Sequence, residues 1–205
     1  MSRIVSLAAA LIAFATPALA GPIVAPPAPP PVVIAPERCA QPFDCFYAGI
    51  ELGFGHGTGT ESTTQTIFSQ PLDYDGEVYG VFAGFNIQNG SLVYGGEARY
   101  LHLNLTDATT GFEVNSVVDL RARLGFAASD RLLVYGAAGY SMADATAASS
   151  FDMTGFNYGA GAEYNISDSF FLGIDLTGRD LEGSLGIFDY EGTVNTATLR
   201  AGFRF

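Results

Sequence analysis

From Phe46 to Phe205, apolar residues recur at alternate positions, and the residues between them are mostly charged, Gly, Asn or Thr. The stretch Asp119-Leu120-Arg121-Ala122-Arg123-Leu124-Gly125-Phe126 shows the pattern in eight residues. Successive side chains of a strand point to opposite faces, so a period of two marks strands whose two faces meet different surroundings. Helical periodicity is convincing nowhere in this region. The pattern predicts eight strands, near 46–55, 77–88, 91–103, 115–127, 131–142, 154–165, 169–179 and 193–205. Each is close to the ~9–11 residues with which a tilted strand crosses a bilayer.

The connections alternate in length. The second, fourth and sixth are tight, at Asn89-Gly90, Ser129-Asp130 and Ile166-Ser167-Asp168, and Asn-Gly between strands is a strong hairpin signal. The first, third, fifth and seventh read as long polar loops, for example His56 to Asp75. An even strand number with short turns at one end and long loops at the other predicts an all-β fold, an eight-stranded antiparallel up-and-down transmembrane β-barrel. The rival is a soluble eight-stranded barrel of the lipocalin kind, whose charged face would look outward.

The composition of the charged face decides between them. It carries Glu51, Glu97, Asp119, Glu163 and Asp175 with Arg99, Arg121, Arg123, Arg200 and Arg204, set among Gly, Asn and Thr. All nine basic residues of the chain are Arg, and Lys is absent. A water-facing exterior favours Lys and avoids mid-strand Gly, whereas a narrow lumen needs small residues and charges that pair. Five arginines turned to lipid would cost on the order of 10–20 kcal/mol, at about 2–4 kcal/mol for each. The apolar face is therefore expected to meet lipid and the ten charged residues to form an ion-pair network in the bore. Strand 131–142, with LLVYGAAGY, is apolar on both sides and its faces stay unassigned. Phe46, Tyr79, Tyr100, Tyr140 and Tyr164 near strand ends fit interfacial girdles.

The segment before the strands fits the same setting. Residues 1–20 have an early Arg3, a short apolar stretch and a terminal Ala-Leu-Ala, the layout of a secretory signal peptide. Residues 21–45 read as a Pro-rich periplasmic tether, with residues 46–205 as the barrel. Cys39 and Cys45 lie close together and are expected to form a disulfide in an oxidising compartment, worth about 2 kcal/mol for so short a loop. The formal net charge of −12 excludes a nucleic-acid partner, which needs a cationic surface.

The pieces FYAGIELGFG, GVFAGFNIQNGSLVYGGEARY, DLRARLGFAASDRLLVYGAAGY, YGAGAEYNISDSFFLGIDL and TLRAGFRF resemble the small outer-membrane β-barrel proteins of alphaproteobacteria, labelled porin-family or opacity-like, relatives of the OmpA-type barrel. The resemblance covers most of Phe46–Phe205 and implies an outer-membrane location with the N-terminus in the periplasm. It also implies that Phe203 and Phe205 carry the C-terminal signal read by the barrel-assembly machinery. Most relatives have Trp before the first strand, where this chain has Cys45.

An eight-stranded barrel encloses only enough space for side chains, so the porin label does not imply bulk diffusion. The expectation is a non-enzymatic, cofactor-free monomer that supports envelope integrity and surface interactions, with outer-membrane lipid and lipopolysaccharide around it. A narrow channel, or uptake and binding of a small haem-like ligand, is the alternative. The acidic loop residues Glu61, Asp73, Asp75, Asp107, Glu113, Asp144, Asp152, Asp180, Glu182, Asp189 and Glu191 could share divalent cations with lipopolysaccharide or simply be solvated. Asp73-Tyr74-Asp75-Gly76-Glu77 falls short of a full Ca²⁺ loop, so no metal site is expected. A lipid A-modifying enzyme is disfavoured: only His56 and His102 could serve as base, and the His-x-Ser spacing that resembles lipid A deacylases is missing.

Overall fold

A computed structural model of the chain describes residues 39, 41–63, 69–107 and 109–205; the expected signal peptide and most of the Pro-rich tether lie outside the described residues. Eight strands follow one another: β1 (Phe46–Thr63), β2 (Ser69–Asn89), β3 (Leu92–Thr106), β4 (Glu113–Ala127), β5 (Leu132–Thr146), β6 (Ser150–Asn165), β7 (Phe170–Leu185) and β8 (Phe188–Arg204). Every strand pairs antiparallel with its neighbours in sequence, and β1 pairs with β8 to close the barrel. The β2–β3, β4–β5 and β6–β7 connections lie together at one end, called here the turn end. There Gly90 takes φ of +61°, which a residue without Cβ adopts without strain.

The strands are longer than the alternation predicts, and the long polar loops are not observed. β1 and β2 run on past His56 and Asp75 in register, ending at Ser62 opposite Ser69, and β7 and β8 are joined across residues 186–187 alone. Asp73-Tyr74-Asp75-Gly76-Glu77 is therefore strand, with Asp73, Asp75 and Glu77 exposed on the outer wall and Tyr74 inside.

The reason lies in an exchange of chemistry between the two faces. Through the turn-end half of the barrel, the outer face is apolar: Ile50, Leu52, Phe54, Val81, Leu120, Leu124, Ile174 and Leu199 are all exposed. The inner face there holds the buried charges. Beyond a ring near Phe54, Tyr79, Tyr100, Met142 and Phe156, the same outer face becomes Thr, Asn, Asp and Glu. The inner face in turn becomes an apolar core of Leu72, Tyr74, Val78, Leu101, Leu103, Leu105, Phe112, Val114, Val117, Phe151, Met153, Leu181, Tyr190 and Val194. One continuous wall is thus a membrane barrel at its base and a water-soluble barrel at its projecting end. β1 contributes Gly55, Gly57 and Gly59 to this core side because neighbouring side chains fill the space; the Tyr74 ring leaves no room for a Cβ on Gly57.

β5 now has assigned faces. Leu133, Tyr135, Ala137, Ser141, Ala143 and Ala145 point inward, and Val134, Ala138, Tyr140 and Met142 outward. β4 carries a bulge at Asn115, where its register with β5 shifts between Val114 and Ser116. The shift lets both Val114 and Val117 reach the core, and it breaks the alternation where the sequence places the strand start.

The exchange of faces makes a paired prediction. Leu120→Arg, on the apolar belt, is expected to destabilise by about 2–4 kcal/mol. Asn104→Arg, on the same outer face of the projecting part, is expected to change stability by no more than about 0.5 kcal/mol. Urea unfolding of protein refolded into lipid vesicles measures both, and equal costs at the two sites would contradict the placement of the belt.

Candidate functional site

The ten bore residues expected from alternation are brought together in one network, and an eleventh joins them. Arg179, the last residue of the predicted strand 169–179, is fully buried. Its signal was present: Gly173, Asp175 and Thr177 face inward, and the next position in that series is Arg179.

Toward the projecting end, Asp119 is held by two arginines side-on. Arg99 donates from Nε and Nη2 at 3.1 and 2.7 Å, and Arg179 from Nε and Nη2 at 3.0 and 2.7 Å. Ser141 Oγ adds a third donor at 2.6 Å. Arg99 also reaches Asp175 at 3.0 Å and Glu51 at 3.4 Å. In the centre, Arg121 grips Glu97 Oε1 from Nε and Nη2 at 2.8 and 2.6 Å and Asp175 at 2.7 Å. Toward the turn end, Arg123 pairs with Glu163 at 2.6 Å and Glu97 at 3.2 Å, Arg200 with Glu97 at 2.5 Å, and Arg204 with Glu163 at 2.6 Å. Glu51 pairs with Arg99 and accepts from Thr198 at 2.8 Å.

Aromatic residues that the charge pattern does not reveal complete the tiers. The hydroxyl of Tyr47 donates to Glu97 at 3.0 Å and that of Tyr135 to Asp175 at 2.7 Å. Arg123 lies 3.7 Å from the Tyr135 ring, Arg200 3.7 Å from Phe82 and Arg204 4.1 Å from Phe171. Their inward positions follow from alternation, but apolar rings among charges read as the wrong face until the stacking is seen.

Both ends of the network are closed by apolar residues. At the turn end Phe43 is completely buried in a cluster with Val93, Leu133, Tyr135 and Ala137, 5.0 Å beneath Arg204. It is carried on the Cys39–Cys45 disulfide loop. That loop is fastened to the barrel rim: Gln41 Nε2 donates to Gln88 O at 3.1 Å, and Phe43 N to Gln88 Oε1 at 3.0 Å. The disulfide expected from the sequence is thus present, and its loop forms a stopper as well as a tie. At the projecting end the core closes the bore beneath a stack in which Phe112 lies 5.7 Å from Tyr190 and Phe151 lies 4.7 Å from it.

Asp107, expected in a solvated loop, instead organises residues 107–112. Its Oδ2 accepts from Asp73 N at 3.1 Å and its Oδ1 from Thr109 N and Thr110 N at 2.7 and 3.1 Å. These backbone donors hold its carboxyl below the usual range. Because the folded value is depressed, its contribution is present above the ordinary value of about 3.9 and is lost as pH falls toward the folded value. Asp107→Asn is therefore expected to increase proteolysis of the 107–112 loop at neutral pH and to flatten the acid dependence of that proteolysis below about pH 4. An unchanged profile would show that the carboxylate does not hold the loop. Nearby, burial pushes the Tyr74 hydroxyl up to about 12, so it serves the core as a neutral group.

The two histidines do not assemble a nucleophilic site. His56 is exposed, 3.6 Å from Asp73, and His102 packs 4.9 Å from the Tyr79 ring. His102 stands opposite Ser116, but Ser116 Oγ gives its proton to Asp144 at 3.1 Å, so the imidazole is not positioned as its base. Among the described residues no three His, Cys, Asp or Glu side chains group to hold a metal.

Comparison with known proteins agrees with this architecture. The family model for the outer membrane protein beta-barrel domain matches residues 6–205. The 31 kDa outer-membrane immunogenic protein of Brucella melitensis is 30% identical over 245 residues, covering 98% of this chain and 98% of the relative. The 25 kDa outer-membrane immunogenic protein of Brucella ovis is 29% identical over 178 residues, covering 82% and 84%. Among solved structures, Neisserial surface protein A superposes with a TM-score of 0.52 at 14% identity, covering 78% of this chain and 97% of that one. Closed eight-stranded topology, an apolar outer belt and the family match together place the chain in the outer-membrane protein β-barrel family.

Proposed function

We propose that this outer-membrane barrel is a non-enzymatic envelope protein that supports membrane integrity and offers its projecting wall to surface partners. The observation that carries the reading is the bore, filled with paired charges at mid-height and closed by apolar residues at both ends. In this reading the network fixes strand register and seals the bore. Buried ion pairs add little net stability over apolar packing, but a broken pair is costly, so correct register is strongly favoured over slipped alternatives. Its filled bore counts against a narrow channel or a haem-like ligand inside the barrel.

The turn end, with the disulfide loop, faces the periplasm in this proposal, and the projecting end faces the cell exterior. Phe203, on the outer face of β8, and Phe205, just past its end, are both exposed and serve the barrel-assembly machinery during biogenesis, and the protein works as a monomer. The projecting wall bears exposed acids that face each other directly across strands, Asp144 opposite Asp152 and Glu182 opposite Glu191. Like charges in such positions repel. Divalent cations shared with lipopolysaccharide phosphates would relieve that repulsion.

A deletion strain tests the proposal. It is expected to become sensitive to detergent and to chelators, with recovery when the wild-type chain is restored. Recovery should require outer-membrane fractionation with heat-modifiable gel mobility. A deletion strain with an unaltered permeability barrier would remove the integrity role.

A further inference from the structure

The bore charges do not balance. Among the described residues, six buried guanidiniums (Arg99, Arg121, Arg123, Arg179, Arg200 and Arg204) meet five buried carboxylates in the bore (Glu51, Glu97, Asp119, Glu163 and Asp175), leaving one positive charge in excess. A buried charge without a counter-charge is costly, and the surrounding belt faces lipid, which supplies none.

Hydrogen bonding locates the excess. Arg99, Arg121 and Arg179 bind carboxylates side-on and use Nε as a donor. Arg123, Arg200 and Arg204 bind through their terminal nitrogens, and the Nε–H of each is buried with no partner. Arg200 has a remedy close by. It faces Glu51 across β1 and β8, and Glu51 Oε1 is the one buried carboxylate oxygen without a partner among the described residues. Arg123 and Arg204 have no such remedy. They share Glu163, one on each oxygen, at 2.6 Å, and Arg200 stands 3.8 Å from the same carboxylate. Three cations thus surround Glu163; each has an unused Nε–H, and of the three only Arg200 stands opposite a carboxylate with a free oxygen.

We propose that the turn-end tier of the bore holds a small monovalent anion, of the halide class, accepting from Nε–H of Arg123 and Arg204. A water molecule would satisfy the donors but leave the charge uncompensated. A halide does both. The stopper at Phe43 encloses this tier, so the ion is taken up during folding. It acts as a structural ligand that makes the network neutral.

The full-length protein, refolded in detergent in sodium bromide or in equimolar sodium gluconate, tests the proposal. Bromide is expected to raise the urea midpoint with the saturating, logarithmic dependence of a ligand bound only to the folded state. Crystals grown in bromide are expected to show an anomalous peak within hydrogen-bonding distance of Nε of Arg123 or Arg204. Arg204→Gln balances the count at five against five and should lose the peak and the bromide dependence. Glu163→Gln raises the excess to two and should steepen that dependence. No anomalous peak in the wild-type bore, or bromide dependence undiminished in Arg204→Gln, overturns the assignment. Should Arg204→Gln fail to fold, the wild-type crystal alone decides.

Discussion

Replacing Glu97 with Gln is expected to destabilise the barrel by about 3–5 kcal/mol, the cost of leaving buried charge uncompensated. Glu97 takes hydrogen bonds from four residues of the network, Arg121, Arg123, Arg200 and Tyr47. Gln keeps the volume and one acceptor oxygen but removes the charge that three guanidiniums share. It also points an amide donor at them. Urea unfolding in lipid vesicles, followed by loss of heat-modifiable mobility, measures the effect. Asp144→Asn, on the exposed projecting wall, is the control and should stay within about 0.5 kcal/mol. If Glu97→Gln behaved like the control, the bore would be hydrated and the charges individually solvated.

The stopper should be nearly as sensitive. Phe43→Ala removes a fully buried ring packed against Val93 and Leu133 and lying beneath Arg204, at an expected cost of about 3–5 kcal/mol. Removing the disulfide through Cys39→Ser and Cys45→Ser should cost less, about 2 kcal/mol, because Gln41 and Phe43 remain bonded to Gln88. Neither change opens a through-path, since the apolar core still closes the other end. Phe43→Ala should therefore be less stable yet non-conducting. A conducting Phe43→Ala barrel would mean that the projecting core does not seal.

The stretch from Asp119 to Phe126 illustrates what the sequence makes legible. Its alternation placed Asp119, Arg121 and Arg123 in the bore, and the lack of Lys indicated which face met lipid. Both features are local and follow from the pleat of a strand. The projecting half was harder to read because its faces exchange chemistry. There Asp73, Asp75 and Glu77 alternate with Leu72, Tyr74, Gly76 and Val78 as strongly as any membrane strand, but with polarity reversed. In β1 the core side is glycine, so no apolar stripe marks His56 to Thr63 as strand at all. Tyr74 and Leu105, distant in sequence, fill that space. β5 was ambiguous because Tyr135 and Ser141 supply the bore with hydroxyls in place of charges. Partner choice was the least legible feature. Arg99 meets Asp119 directly opposite on β4, but its contacts with Asp175 and Glu51, and that of Arg179 with Asp119, cross the bore, where side chains from strands far apart in sequence converge.

The central claim is that the bore is sealed, by ion pairs in the middle and apolar residues at each end. Conductance of the purified monomer in a planar lipid bilayer tests it most directly. The expected result is no steady conductance above that of the bare bilayer at neutral pH. A steady nanosiemens-scale channel from the wild-type monomer would contradict a filled bore.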